Sequence, residues 1–333
     1  MAQKQSRRVQ FIGVLVLLTG LLPAGLAKAQ EKKDQPPVTS SRSFQLSGYT
    51  QFLYTYWDKG VDTASIPRAR LTLSSEIVKN IRFKIQVDAV KSPALIDAQL
   101  DFLLKPYLTL RVGQYYVPFS SENTTSDSDL DLVQRSQVVN SLAPSRDIGS
   151  QGRDIGVSVT GKYSVLEYQA GVFNGAGINK ADTNKWKDLS GRLVIRPAEF
   201  ISVGGSLYSG HHSQNEAAPP VARDRAGLEA ALTLGEFYLK GEYIAGKDGQ
   251  TSRDGWFIQG SFYFLPKKLQ AVARWDTYDP NGDTTFDRTD ILTLGGNWYL
   301  LNRTKLALNY NLYRKEGEGT TNWALFVQFQ AGL

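Results

Sequence analysis

The chain has 333 residues, with 38 basic against 32 acidic side chains, no cysteine and a mean hydropathy of −0.29. The missing cysteine excludes a disulfide framework and a lipid-anchor cysteine. Only Phe11 to Leu22 forms a long apolar run, and about 20 apolar residues are needed for a helical span, so a helical membrane bundle is excluded.

That run follows Lys4, Arg7 and Arg8 and precedes Ala27-Lys28-Ala29, which offers small residues to a signal peptidase. Residues 1–29 therefore read as an export signal cleaved after Ala29. Without Lys4, Arg7, Arg8 and Lys28, the bases fall from 38 to 34 against 32 acids, a net +2. The charge thus gives no argument for nucleic acid as a partner. Residues 30–42, with Lys32, Lys33, Pro36, Pro37 and serines, read as a flexible periplasmic segment.

From residue 43 onward the dominant signal has a period of two, the period of a strand with unlike faces. The first predicted strand runs from Ser43 to Trp57, with Phe44, Leu46, Phe52, Tyr54 and Tyr56 on one parity and Gln45, Ser47 and Gln51 on the other. The second, Ile66 to Val78, sets Ala69, Leu71, Leu73 and Ile77 against Arg68, Arg70, Thr72, Ser74 and Glu76. After a Lys79-Asn80 turn, Ile81, Phe83, Ile85, Val87 and Ala89 alternate with Arg82, Lys84, Gln86 and Asp88. Ile96, Ala98, Leu100 and Phe102 then alternate with Asp97, Gln99 and Asp101. Beyond Lys105-Pro106, Leu108, Leu110 and Val112 oppose Thr109 and Arg111.

Further strands are predicted near 153–161, 164–174, 188–196, 200–210, 223–234, 236–246, 254–265, 269–278, 289–300, 304–314 and 321–333. In the last, Trp323, Leu325, Val327, Phe329, Ala331 and Leu333 share one parity, and Phe326 is the large apolar intruder on the other. The fold class this predicts is all-β: a transmembrane antiparallel up-and-down β-barrel of about 16 strands over residues 43–333.

Connections alternate in length, as periplasmic turns and extracellular loops should. Tight ones are predicted at Lys79-Asn80, Lys105-Pro106, Lys162-Tyr163, Pro197-Ala198-Glu199, Gly235-Glu236, Pro266-Lys267-Lys268 and Leu301-Asn302-Arg303. Longer ones are predicted near 58–65, 91–94, 117–152, 174–187, 211–222, 247–253, 279–288 and 315–320, which puts both termini on the periplasmic side. Aromatics gather near strand ends (Tyr54, Tyr56, Trp57; Tyr115, Tyr116; Trp256, Phe257; Trp298, Tyr299; Trp323), where headgroup-level girdles belong.

A barrel of about 16 strands leaves a water-filled lumen. Its inward positions hold Arg68, Arg70, Arg82, Lys84, Arg111, Arg192, Arg225, Lys240, Arg274 and Lys305, and also Glu76, Asp88, Asp97, Asp101, Glu167, Glu229, Glu242 and Asp276. The near balance predicts no strong ion selection unless one sign is concentrated at a narrow point. The segment Val117–Gly152 is the candidate for that point, with a short helix predicted within Asp129–Leu142. One reading sets its acids Glu122, Asp127, Asp129 and Asp131 against a basic wall of Arg68, Arg70 and Arg111, making a transverse field. A second has Arg135, Arg146 and Arg153 pointing inward as an anion site. A third leaves it a solvated surface loop.

Catalytic readings find no support. His211 and His212 are adjacent on a predicted loop and would point apart, with Glu216 the nearest third ligand, so no metal site follows. No G-x-S-x-G motif is present, and Gly171–Gly177 lacks a P-loop lysine. Neither a cofactor nor an enzyme activity is expected.

The run Val112-Gly113-Gln114-Tyr115-Tyr116-Val117-Pro118-Phe119-Ser120-Ser121-Glu122 resembles the phosphate-selective porin O and P family, which carries a similar VGQxxxPFSxE stretch. Similar stretches are Arg68-Ala69-Arg70-Leu71, Asp97-Ala98-Gln99-Leu100-Asp101, Gln134-Arg135-Ser136 and Gly152-Arg153-Asp154-Ile155-Gly156-Val157. Phe173-Asn174-Gly175, Asp182-Thr183-Asn184 and Gly191-Arg192-Leu193 continue the likeness. The resemblance implies a sixteen-stranded outer-membrane barrel, a homotrimer, with inward loops and an anion path of arginines and lysines. Arg68, Arg70, Arg135 and Arg153 carry over as path candidates, while the lumenal acids and the terminal Leu333 depart from the family pattern.

The expected function is passive diffusion of small hydrophilic solutes with an anion preference, through the outer membrane and in contact with its lipid. The pore-lining candidates are Arg68, Arg70, Arg111, Arg135, Arg146, Arg153, Arg192, Lys240 and Arg274. The alternatives are a phosphate or polyphosphate channel and an adhesin or structural barrel with a plugged lumen.

Overall fold

Alternating apolar and polar residues at this density can satisfy every backbone group in lipid only by pairing strand to strand until the sheet closes. The computed structural model describes residues 43–213, 217–301, 303–318 and 321–333. The expected leader 1–29 and the segment 30–42 lie outside the described residues. Sixteen strands form one closed antiparallel barrel. They are β1 (Gln45–Trp57), β2 (Thr63–Val78), β3 (Ile81–Asp88), β4 (Leu95–Lys105), β5 (Leu108–Tyr116), β6 (Arg153–Tyr163), β7 (Leu166–Phe173) and β8 (Asp188–Ala198). They continue as β9 (Ile201–His212), β10 (Val221–Leu234), β11 (Phe237–Asp248), β12 (Thr251–Leu265), β13 (Leu269–Asp279), β14 (Thr289–Leu301), β15 (Thr304–Lys315) and β16 (Asn322–Gly332).

Each strand pairs with the next, and β1 pairs with β16 from Tyr49 opposite Gly332 to Trp57 opposite Ala324. The last amide, on Leu333, donates to the Gly48 carbonyl at 2.9 Å and finishes the seam. The apolar parity forms the outer surface: Leu46, Phe52, Leu207, Leu228, Trp298 and Leu308 are all exposed there. The polar parity faces inward and is buried, as at Gln51, Arg70, Gln259, Asn297 and Gln330. At one rim Trp323 stacks on Tyr56 at 5.2 Å and lies 5.5 Å from Tyr310. At the other Tyr107 meets Tyr163 edge to face at 6.0 Å.

Several boundaries differ from the sequence reading, each for a local reason. Lys162 and Tyr163 are not a turn but the end of β6, paired with Glu167 and Leu166; Ser164 takes the left-handed φ of 52° and turns the chain. Lys105 pairs with Leu108, so that turn is Pro106-Tyr107. Ala198 pairs with Ile201 across Glu199-Phe200, and Pro197, which has no amide to donate, sits in the register shift between Ile195 and Ala198. The expected long loop 247–253 is a two-residue turn, Gly249-Gln250, because β11 and β12 pair out to Asp248 and Thr251 and Gly249 supplies a φ of +62°. Ile96 does not face lipid. It is the extra residue of a bulge, since Gln86 pairs with Asp97 but Val87 with Leu95, and it is fully buried.

Segment 117–152 holds two short helices, α1 (Ser121–Thr124) and α2 (Gln137–Leu142), around a 3-10 turn at Asp127–Asp129. The helix expected within Asp129–Leu142 is confined to its second half. Residues 130–134 are instead taken up by side chains of the wall.

Candidate functional site

The inner wall holds an apolar cluster that strict alternation would not place there. Tyr115, Val117, Phe119, Val138, Val139, Leu142, Phe173, Tyr208, Ile244 and Phe257 pack together, joining segment 117–152 to inward positions of β5, β7, β9, β11 and β12. A second cluster joins Val133 to Ala307, Ala324 and Phe326, which explains the off-parity Phe326: it faces the segment. Each such side chain buried stabilises the arrangement by about 1.5–3 kcal/mol.

Polar contacts fix the segment's course. The Pro118 carbonyl accepts from Ser190 at 3.0 Å, and the Ser120 amide donates to Ser206 at 3.2 Å. Residues 130–134 lie against β12 to β15. Lys305 donates to the Leu130 carbonyl (2.5 Å), Asn297 to the Asp131 carbonyl (2.7 Å) and Arg274 to the Gln134 carbonyl (3.0 Å), while the Val133 amide donates to Asn309 (2.7 Å). The Asp131 carboxylate accepts from Gln259 and Gln270 at 2.9 and 3.0 Å. Wall side chains thus satisfy backbone groups that the helix expected here would have satisfied internally. Asp276 then caps α2, accepting from the Ser136 hydroxyl (3.0 Å) and the Gln137 amide (2.7 Å) at its positive end.

The charged candidates sort into two groups. Asp127 is the hub of the first: Arg70 reaches it at 2.7 Å, Arg135 at 3.0 Å and Arg68 at 3.2 Å. Burial works to raise the Asp127 pKa, but Arg135, Arg68 and Arg70 outweigh it and hold the carboxyl well below the usual range. Arg70 also donates to Asp88, Tyr49 and Gln151. Arg135 also donates to the carbonyls of Glu122 and Thr125. Glu122 accepts from the Ser136 amide and pairs with Lys240 at 2.9 Å and Arg274 at 3.6 Å. Burial again opposes its charge, yet Lys240, Arg274 and Arg135 bring its pKa down to about 2.

Arg153 is fully buried, donating to Asp97 at 2.6 Å with its guanidinium 3.7 Å above the Tyr116 ring. Arg146 donates to Asn123 at 2.9 Å and to the Gln151 carbonyl; burial and then the Arg135 charge pull its pKa down. Asp129 stays exposed, accepting from Ser128.

The second group bonds within the wall. Arg111 grips Asp101 through two hydrogen bonds of 2.7 and 2.8 Å, Arg192 pairs with Glu229, and Lys84 reaches Asp97 at 2.6 Å. Arg111 therefore does not face the acids of the segment, and a transverse field built from it is corrected to local pairs. These side chains keep part of their surface: Lys84 is 35% and Arg111 26% exposed.

A third feature, at the end with the longer connections, is a cavity of about 320 Å³ lined by Asp147, His212, Arg223, Arg225, Asp248 and Arg253. Arg223 binds both Asp147 oxygens through Nη2, at 3.0 and 2.9 Å, while its Nε and Nη1 have no hydrogen-bond partner among the described residues, and the Arg253 Nε stands 3.5 Å from the Asp248 carboxylate. Burial pushes the Asp147 pKa up, against the pull of Arg223 and Arg225. His211 stacks on Trp186 at 4.9 Å.

Sequence reasoning missed the amides Gln259, Gln270, Asn297 and Asn309, the inward aromatics and the Arg223–Arg253 cluster. Of these, only Phe326 gave a warning, as a break in parity.

A closed barrel with a polar inner face and a long segment bound to its own wall fits a channel architecture, and comparison with known proteins agrees. A family model described as phosphate-selective porin O and P matches residues 47–218 and 207–325. The chain belongs to the phosphate-selective porin O and P family. No curated protein matches it. Among solved structures, the anion-selective porin from Comamonas acidovorans is 14% identical with a TM-score of 0.68, covering 88% of this chain and 100% of that one. The outer membrane channel DcaP of Acinetobacter baumannii is 11% identical with a TM-score of 0.64, covering 88% and 97%. The trimer form of OmpT of Vibrio cholerae is 10% identical with a TM-score of 0.63, covering 88% and 100%. At these identities the likeness shows the fold. This porin is an outer-membrane protein whose family and fold are those of diffusion channels.

Proposed function

We propose that this porin passes small hydrophilic solutes along a corridor beside segment 117–152, past the part-exposed pairs Lys84–Asp97, Arg111–Asp101 and Arg192–Glu229, with a modest preference for anions. The observation that carries the reading is the split of charges. Acids of the segment cancel Arg68, Arg70, Arg135, Lys240 and Arg274, while Arg111, Arg192 and Lys84 pair within the wall and stay part exposed. Pairwise cancellation leaves little net field, so selectivity stays weak. The Arg223 donors at the mouth, which have no hydrogen-bond partner among the described residues, tip it toward anions.

Those donors also favour a second reading, a phosphate channel, in keeping with the family's description. Planar bilayers separate the two. The first reading expects a measurable conductance, a small anion-selective reversal potential in a salt gradient, and chloride current unaffected by low phosphate. Phosphate block of that current would replace it with the second reading, and zero conductance would remove both in favour of a plugged barrel.

The longer connections would face outward, with both termini periplasmic, and protease access from the cell surface tests this. We read the assembly as a homotrimer in lipid, as in the trimer form of OmpT. A monomer by cross-linking in outer membranes would overturn that.

A further inference from the structure

Three glycines stand on the inward rows of β10, β12 and β14, where their neighbours are large or polar. A Cβ built on Gly295 would lie 2.8 Å from Leu132 Cδ2 and 2.5 Å from Asn309 Nδ2. One on Gly227 would lie 3.2 Å from Phe119 Cζ, and one on Gly255 2.9 Å from Val138 Cγ2. At Gly227 and Gly295 the nearest intruding atoms belong to the inserted segment or to Asn309, which holds it through the Val133 amide, whereas at Gly255 the Thr277 carbonyl of the next strand lies nearer still, at 2.4 Å. Gly227 and Gly295 have no left-handed φ, so backbone freedom does not call for glycine there. What calls for it is space.

We propose that Gly227 and Gly295 are positioning residues for the pore bore. Each gives up a side chain so that Phe119 or Leu132 seats in the wall and the segment lies close against β10 to β15. The inference rests on the reading that segment 117–152 narrows the corridor. Side chains at these two positions would push the segment off its sockets and into the path of solute.

The test uses the full-length porin in planar bilayers. Gly295→Val should lower single-channel conductance, and Leu132→Ala, which empties the knob, should restore it when combined with Gly295→Val. Rescue separates positioning from general damage, because a destabilised barrel is not repaired by a second deletion of packing. Gly296→Val, on the lipid face with open space around it, should leave conductance unchanged. If Gly295→Val does not fold, Gly227→Ala carries the test, since its single added carbon meets only side chains, Phe119 and Ser206. It should lower conductance by a smaller amount.

Unchanged or raised conductance in the folded glycine variant, or a double variant no closer to the parent than the single, overturns the proposal. Deleting residues 127–134 is the separate check. A larger conductance after deletion, with Gly295→Val silent, removes the sockets and keeps the constriction. No change after deletion removes the constriction itself.

Discussion

The two sides of the lumen obey one alternating pattern yet serve opposite ends. The inner rows of β9 to β16 carry amides, glycines and small residues (Gln259, Gln270, Asn297, Asn309, Gly227, Gly295 and Ala307) together with Lys240, Arg274 and Lys305, which also bond to the segment. They receive a segment, whose Asp131 carboxylate and carbonyl and Val133 amide bond to them directly. The inner rows of β3 to β8 carry charges in pairs, Lys84 with Asp97 and Arg111 with Asp101, and Arg192 of β8 reaches across to Glu229 of β10. Arg82, Asp101 and Arg111 even stand opposite one another across three adjacent strands. The difference teaches that an inward polar row has two uses. Amides and notches fit a covering chain, and charge pairs fit water, where they keep their hydration and self-cancel.

Experiments that break this comparison begin with Asp127. Asp127→Asn leaves Arg70 and Arg135 buried beside a neutral group, and loss of one partner from a buried ionic cluster costs about 3–5 kcal/mol. Denaturant unfolding in detergent should show the loss. Full retention of stability would mean that the covered side is not held by its ions. Next, Phe326→Ala empties the socket of Val133 and should cost about 3–5 kcal/mol at most, less where the segment relaxes into the gap.

On the open side the effect should move from stability to permeation. Arg111→Gln with Arg192→Gln should cost less stability than Asp127→Asn and lower anion over cation permeability. Arg135→Gln with Arg153→Gln should do the reverse, destabilising the porin while shifting the reversal potential less. Equal shifts from the two pairs would erase the distinction between the sides.

The smallest expected effects concern pH. The Glu122 pKa is lowered to about 2. A depressed carboxylate contributes stability above its unfolded pKa and loses it only as pH falls through the folded value. The grip of Lys240 on the segment should therefore persist from neutral pH to below pH 3, read as constant conductance in an Asp147→Asn variant. Asp147 moves the other way, its pKa raised by burial. It should gain its proton above the usual carboxylate range, uncover Arg223 while Arg225 keeps Asp248, and raise anion permeability at mildly acid pH. A flat permeability ratio in an Asp147→Asn variant and a rising one in the parent would assign that change to Asp147.

The sequence by itself determined the closed sheet, its sixteen strands, and which residue of each pair faces lipid. Those features follow from a period of two, which each strand displays within its own dozen residues. Its errors fell where one residue changes the count, as at the bulge that buries Ile96 or the proline kept out of the ladder at 197. The site was legible as a set of residues but not as an arrangement. Arg135 and Arg153 are named by the family motif, yet only the folded chain shows their donors occupied by Asp127 and Asp97. The contact of Lys305 with the Leu130 carbonyl spans 175 positions, and no local pattern encodes it. Tertiary structure alone decided which half of the inner wall is covered, because covering requires two distant stretches to match in shape and hydrogen bonding at once.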